Sequence, residues 1–182
     1  MTGRVVALGG PPGSGKSTAG RLAATALGLE YRSAGEIFRA EAARRRMDLG
    51  AFGRYAETHP EVDQEIDRAM QGSARPGQLL DGRIQGILCR RAGIPVAYVV
   101  VTAERDERVR RVARRDGETL EEAARHVRDR ETSERTRYRA YYDIDLDRER
   151  PDLTVDSTHR PAEEVARAIV AFVRTPTAGS PA

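Results

Sequence analysis

Residues 10–17 have the types and spacing of a loop that binds the phosphate chain of a nucleotide. They read GPPGSGKS and fit the pattern GxxxxGKS between an apolar stretch at 4–8 and a helical pattern. In such a Walker A loop, main-chain N–H groups and the helix N-terminus surround the β-phosphate. The lysine bridges the β- and γ-phosphates, and the next hydroxyl ligates Mg²⁺. We therefore predict that ATP or GTP binds Gly10, Pro11, Pro12, Gly13, Ser14, Gly15, Lys16, Ser17 and Thr18, with Ser17 on Mg²⁺.

Lys16 stands out because it is the single lysine among 31 lysine and arginine residues. At a solvated surface position arginine would serve equally well, but its planar guanidinium cannot replace a compact ammonium on a flexible stem. Asparagine is absent from the chain. The Asn-Lys-x-Asp motif of guanine-reading switches is therefore absent too, and a small-molecule kinase is the leading interpretation.

Asp81 and Arg83 lie just after the third predicted strand, in the segment LDGR at 80–83. Open parallel sheets place ligands beyond the carboxyl ends of their strands. Asp81 there could hold a Mg²⁺-bound water or order the phosphate-binding loop, and Arg83 could bind a phosphate through two hydrogen bonds. The alternative is an ordinary Asp-Gly turn followed by an exposed arginine.

A charged helical stretch places Arg130, Glu134 and Arg137 at spacings of four and three residues. Such residues share one helix face, so they can converge on one anionic ligand. The alternative is a solvated helix with salt bridges along its surface. Similarly, Ser33 with Glu36 can be a capping box on a solvated helix rather than part of a binding site.

Strand and helix patterns alternate along the chain. Apolar strand patterns occur at 4–8, 29–31, 78–80, 96–101 and 153–155, and helical patterns at 16–27, 34–46, 60–73, 83–92, 104–115, 119–142 and 161–173. Alternation of this kind predicts an α/β fold, a doubly wound five-stranded parallel sheet with helices on both faces. The region 116–142 is expected to be an inserted helical lid that begins at a turn around Gly117, with Thr119 and Glu122 as a capping box. We expect one domain over 1–174 and a disordered tail at 175–182.

Composition excludes several functional classes. One domain is expected from 182 residues, and Cys89, the single cysteine, can form no internal disulfide and hold no metal alone. The 14 arginines and 13 acidic residues between Arg105 and Arg150 are interleaved, which argues against a nucleic-acid polymer as partner. No apolar run is long enough to span a bilayer and no signal segment is recognisable, so we expect a cytoplasmic monomer without a membrane partner.

Four segments together resemble the short cytidylate kinases of the nucleoside monophosphate kinase family. They are SAGEIFR at 33–39, the Tyr-Ala-Glu…Pro-Glu-x-Asp stretch at 55–63, Asp81 to Gly86, and RxxxExxRYxxYYxID at 130–145. The resemblance covers about residues 4–173 and implies transfer of the ATP γ-phosphoryl group to CMP or dCMP, with Mg²⁺. It also implies acceptor-binding helices at about 33–73.

The resemblance implies roles for particular residues. Lys16, Arg83, Arg130 and Arg137 are the expected catalytic residues, and Arg111 and Arg115 join the ATP site from the lid. The monophosphate is expected to meet Ser33, Gly35, Arg39, Asp63, Asp67, Asp81, Arg83, Arg130, Glu134 and Arg137. Ile84 stands where longer bacterial members place an aspartate that reads the cytosine amine, so base selection is expected to come from Asp63, Asp67, Gln85 or Arg137.

Two alternatives remain open at this stage. Because Ile84 cannot accept a hydrogen bond, the acceptor could be UMP, a modified cytidine monophosphate or a small secondary-metabolite phosphate. The chain could also be a nucleotide-binding regulator that hydrolyses ATP slowly and signals through the position of its lid.

Overall fold

A computed structural model describes residues 3–72 and 74–175. Its five strands form one parallel sheet in the order β2-β3-β1-β4-β5, which confirms the predicted fold class. The strands are β1 Val5–Gly9, β2 Glu30–Ser33, β3 Gln78–Asp81, β4 Val96–Thr102 and β5 Leu153–Asp156. The predicted tail lies, apart from Thr175, outside the described residues.

Helices connect the strands in the pattern that the sequence predicts, with small shifts at their ends. They are α1 Lys16–Leu27, α2 Ala34–Arg44, α3 Leu49–Ala56, α4 Pro60–Gln71, α5 Gln85–Arg91, α6 Arg105–Asp116, α7 Leu120–Tyr142 and α8 Ala162–Arg174. The helix predicted from Arg83 begins only at Gln85, so Arg83 lies in the turn after β3. The sequence analysis missed α3, a short helix containing two glycines, which Asp48 caps by accepting a hydrogen bond from the Ala51 N–H.

Both faces of the sheet are covered by apolar side chains. On one face Val6, Leu8 and Val99 pack against α1 and α8. On the other, Val5 and Leu80 pack in a cluster with Phe52 of α3, Met70 of α4 and Cys89 of α5. Successive residues of one strand thus pack into the apolar clusters on opposite faces of the sheet, as expected where helices cover both faces of a parallel sheet.

The register of the central strands brings their carboxyl ends together. Leu8 and Ser33 both pair with Asp81, and Gly9 pairs with Val100. The segments that follow these strands therefore start from the same edge of the sheet, where the sequence analysis expects the phosphate chemistry.

The predicted turn between α6 and α7 is present. Gly117 ends α6 with a φ of 70°, and the Thr119 and Glu122 side chains form the predicted capping box at the start of α7. Among the described residues, no helix combines the length and apolar character that a membrane span requires.

Tyr98, buried at the centre of β4, requires glycine at position 86. A Cβ at Gly86 would lie 2.0 Å from Cδ2 of Tyr98. We expect Gly86→Ala to lower the free energy of unfolding by about 2 kcal/mol, because the packed ring cannot move aside. Gly53→Ala is the matched control, because a Cβ there would meet its nearest atom, Ser133 Oγ, at 3.8 Å. Urea unfolding measures both changes, and equal effects would contradict this account.

Candidate active site

Gly10 and Gly13 give the phosphate-binding loop its shape. Their φ angles are +137° and +80°, which disfavours any residue with a Cβ. A Cβ at Gly10 would lie 2.1 Å from the Val101 carbonyl oxygen, and one at Gly13 would lie 2.7 Å from that of Arg108. The loop can therefore pack closely on β4 and α6 only because both positions are glycine.

Lys16 begins α1, directly after Gly15 in the left-handed conformation. No hydrogen bond or ion pair engages its ammonium within residues 3–72 and 74–175. In the same loop, the Ser14 carbonyl accepts a hydrogen bond of 2.8 Å from the Ser157 hydroxyl. Ser14 Oγ is buried and has no hydrogen-bond partner in the described structure. The loop thus combines a fixed main chain with a free cation, as an anion site requires.

Asp81 lies beside the loop, at the end of β3. It is buried and accepts a hydrogen bond of 2.5 Å from the Tyr31 hydroxyl. Burial and the neighbouring Asp81 carboxylate raise the pKa of Tyr31, although the nearby Ser17 and Ser33 side chains oppose that rise. Tyr31 therefore stays protonated as a donor to Asp81, in the neighbourhood of Ser17, the predicted magnesium ligand. The sequence analysis missed Tyr31 because an aromatic residue in a strand normally indicates core packing.

Ser33, Gly35 and Arg39 lie at the start of α2, as predicted. Ser33 Oγ accepts a hydrogen bond from the Glu36 N–H at 3.3 Å. The Glu36 carboxylate turns to Arg21 instead of completing a capping box. Arg39 is exposed and has no ion pair within the described residues, so its guanidinium is free for an anionic ligand.

Arg83 points to a different partner from the predicted phosphate. Its Nη1 donates to both carboxylate oxygens of Glu149, at 2.8 and 3.2 Å. Arg83 and Glu149 line a cleft of about 350 Å³ together with Pro11, Pro12 and Glu134. The structure thus brings Arg83 and Glu134 to the phosphate-binding loop, and adds an acidic residue that the sequence analysis missed.

The arginines of α7 do not converge on one point as predicted. Arg130 Nη2 pairs with Glu134 on the same helix at 3.2 Å. Arg137 Nη1 instead donates to both oxygens of Asp63 on α4, at 2.5 and 2.6 Å. Both residues of that pair are buried, and Arg137 Nε has no partner in the described structure. Burial raises the pKa of Asp63, and Arg137 opposes the rise.

Asp67, one turn after Asp63 on α4, is also fully engaged. One oxygen accepts from Gln85 Nε2 and the other from the Tyr142 hydroxyl, each at 2.6 Å. A cytosine amine would have to share these oxygens, since every carboxylate oxygen of Asp63 and Asp67 already accepts a bond. Ile84 is buried against Ile144 and Leu146, which explains why an apolar residue stands there.

Arg111 and Arg115, the predicted ATP-binding pair on α6, have separate surroundings. Arg111 donates to Ser157 Oγ at 2.9 Å and to the Ser157 carbonyl at 2.7 Å. With Gly15, Thr18 and other residues it lines a second cleft of about 320 Å³. Arg115 instead pairs with the adjacent Asp116, and it is not among the residues that line this cleft.

Arg108 is a buried arginine that the sequence analysis took as one of many surface charges. Its Nη1 donates to the Pro12 carbonyl at 3.2 Å and to Glu131 of α7 at 2.6 Å, while Nε donates to the Ala103 carbonyl at 3.1 Å. It therefore connects the phosphate-binding loop to the predicted lid. No local pattern distinguishes it, because both partners are distant in sequence.

Comparisons with known proteins bear on the family and the fold. A family model described as an AAA domain matches residues 9–146. A cytidylate kinase of Pyrobaculum aerophilum is 40% identical over 167 residues, covering 90% of this chain and 89% of that protein. A cytidylate kinase of Aeropyrum pernix is 40% identical over 169 residues, covering 92% and 97%. The structure of shikimate kinase from Acinetobacter baumannii shares the fold, with a TM-score of 0.61 at 18% identity over 93% of this chain and 92% of that one.

The surroundings of Asp67 predict a pH dependence of stability. Burial raises the pKa of Asp67 to about 6, above its unfolded value, so the folded protein binds this proton more tightly. The stabilisation that this tighter proton binding gives the folded state is present below about pH 4 and is lost as the pH rises through 6. Asp67→Asn removes this titration. The free energy of unfolding of the variant, relative to that of the unmodified protein, should therefore rise by about 2 kcal/mol from pH 4 to pH 7.

Urea unfolding at both pH values measures this shift. Asp129→Asn, which alters an exposed carboxylate of α7, should show no comparable change relative to the unmodified protein. A constant difference between Asp67→Asn and the unmodified protein across the range would contradict the raised pKa.

Proposed function

The chain belongs to the cytidylate kinases, and on that premise we propose that it transfers the γ-phosphoryl group of ATP to CMP or dCMP. The observation that carries the proposal is the unpaired Lys16 ammonium in a phosphate-binding loop, at the sheet edge where Asp81, Ser33 and the Arg83 turn also lie. A donor and an acceptor phosphate can meet there. We further propose that the protein acts as a monomer in the cytoplasm.

The donor nucleotide occupies the phosphate-binding loop and the adjoining cleft. The main-chain N–H groups of residues 13–18 surround the β-phosphate, and Lys16 contacts the transferring group. The nucleoside of ATP enters the cleft lined by Gly15, Thr18 and Arg111. Arg115, now paired with Asp116, would have to rotate away from that partner to contact the phosphates.

The residues around Ser17 suit Mg²⁺ bound together with ATP. Hard oxygen donors and retained waters are the ligands that this ion prefers. The Asp81 carboxylate accepts a hydrogen bond from the Tyr31 hydroxyl, and the Ser17 side chain is near enough to that hydroxyl to influence its pKa. Ser17 would hold the ion directly and Asp81 through a water, and the ion would neutralise phosphate charge.

The acceptor phosphate is held from the opposite side. Arg39 supplies an unpaired guanidinium, Ser33 and Gly35 form the start of α2, and Arg83 supplies the edge of its guanidinium that faces away from Glu149. The acceptor phosphate is itself the nucleophile, so no general base is required. Catalysis then consists of positioning two anions and neutralising their charge.

The region 116–142 acts as a lid in this proposal. Arg130, Glu134 and Arg137 lie on it, and closure would exclude water, which otherwise accepts the phosphoryl group. Arg130 and Arg137 would neutralise charge that develops between the nucleotides. For both, this requires a change of partner, from Glu134 and Asp63 respectively.

The cytosine base is assigned to Asp63 and Asp67. These residues are buried with Arg137 at the junction of α4 and α7. A carboxylate accepts a hydrogen bond from the cytosine amine but not from the keto oxygen of uracil, which offers no donor. Binding would replace part of the present network with the base.

A coupled assay of ADP formation tests the function directly. With ATP and Mg²⁺, CMP and dCMP should support turnover well above that with UMP, AMP or GMP. The cytidylate kinase relatives do not favour the alternatives, a kinase for another acceptor or a regulator. Preferred turnover of UMP would support the first, and ATP hydrolysis independent of any monophosphate would support the second.

Arg39→Ala tests the acceptor site. Each charge-assisted hydrogen bond to phosphate contributes about 1.5–3 kcal/mol, so we expect kcat/KM for CMP to fall by about one to two orders of magnitude. Arg44→Ala removes another exposed arginine of the same helix, one that pairs with Glu41, and should leave activity unchanged. Equal activity of the two variants would remove Arg39 from the site.

A further inference from the structure

Glu149 forms an ion pair with the Arg83 guanidinium through only one of its nitrogens. Arg83 Nη1 donates to both Glu149 oxygens, and the two side chains are only 14% and 8% exposed. Within the described structure, Nε and Nη2 of Arg83 have no hydrogen-bond partner. The pair therefore leaves a guanidinium edge with two N–H groups, the geometry that binds a phosphate through two bonds.

Glu149 is itself fixed by the buried residue Tyr98. The Tyr98 hydroxyl donates to Glu149 Oε1, and burial together with the Glu149 charge raises the pKa of that hydroxyl, so it remains a donor. The ring is confined by Gly86 and Gly9, where a Cβ would lie 2.0 Å and 2.8 Å from the nearest Tyr98 atoms. The core of β4 thus determines where the carboxylate lies.

The backbone beside Glu149 is anchored to the same strand. The Asp152 N–H donates to the Tyr98 carbonyl, and the Tyr98 N–H donates to Asp152 Oδ2, each at 2.8 Å. Arg90 of α5 donates to the Arg150 carbonyl and to Asp152. Several independent hydrogen bonds therefore fix this segment. A fixed Glu149 is expected if it supports Arg83, and not if it competes with the phosphate for Arg83.

We propose that Glu149 is a positioning residue that orients Arg83 towards the acceptor phosphate. The inference rests on the proposed function, because it takes Arg83 as a ligand of the CMP phosphate. An arginine side chain loses much rotamer freedom when it binds, and a carboxylate that restrains it beforehand removes part of that loss from the binding step.

A buried carboxylate so close to a phosphate site would otherwise be unfavourable. Its charge opposes an incoming dianion, and burial without a partner is costly. Both penalties are offset only while Arg83 neutralises it. The two residues should therefore act as one unit, in which Glu149 favours acceptor binding only through Arg83.

Glu149→Ala should raise KM for CMP about tenfold while KM for ATP changes less than about twofold. The Kd of CMP, measured by titration calorimetry, should rise in parallel. Asp147→Ala, which removes an exposed carboxylate two residues away, is the matched control and should behave like the unmodified enzyme. Tyr98→Phe, which removes the hydroxyl that holds Glu149, should give a smaller loss of the same kind.

A double variant separates positioning from general damage. In an Arg83→Ala background, Glu149→Ala should cause no further loss, because the only favourable effect of Glu149 on CMP binding acts through Arg83. Additive losses, an unchanged KM, or tighter CMP binding in Glu149→Ala would each overturn the proposal. If Glu149→Ala does not fold, Glu149→Gln replaces it, with a smaller rise in KM expected. Failure of the unmodified protein to phosphorylate CMP would instead reject the proposed function.

Discussion

A few cations must remain free for phosphate in a chain where carboxylates surround most arginines. Lys16 and Arg39 have no ion pair in the described structure, whereas many other arginines pair with neighbours on their own helices or on adjacent elements. Surface pairs of that kind contribute little stability, but they do consume charge that would bind anions unselectively. Lys16 in the phosphate-binding loop and Arg39 near the start of α2 therefore keep positive charge that can attract the phosphates of two nucleotides to the proposed site.

Short-range patterns made much of the fold predictable. The strands, the phosphate-binding loop and the capping box at Thr119 each depend on residues that are close in sequence, and the structure contains all three. The position of Ser33 at the start of α2 was predictable for the same reason. The missed helix α3 shows the limit of that approach, because its two glycines lower helix propensity, and tertiary burial of Phe52 adds to the Asp48 cap in compensating for them.

The partners of the site arginines were not predictable, because they come from distant elements. Arg83 meets Glu149 across 66 residues, Arg137 meets Asp63 across 74, and Arg108 meets Pro12 across 96. In sequence, Glu149 is one of many carboxylates in an evenly mixed charged region, Asp63 is one of four acidic residues on α4, and Pro12 offers only a main-chain carbonyl. Which acid faces which arginine is decided by strand order and helix packing, so charge pattern alone could identify candidate cations but not those already neutralised.

The contacts of α7 explain how one helix can serve both halves of the site. Its first half packs on α6 through an apolar seam that includes Val112, Ala123 and Val127. Its second half meets the acceptor helices largely through polar bonds, from Arg137 to Asp63 and from the Tyr141 hydroxyl to the Ala56 carbonyl. Separating an apolar seam exposes surface to water with no replacement partner, whereas a hydrogen-bonded ion pair can exchange its partner for a phosphate or a base. The first half is therefore suited to remain attached while the second half rearranges around a nucleotide.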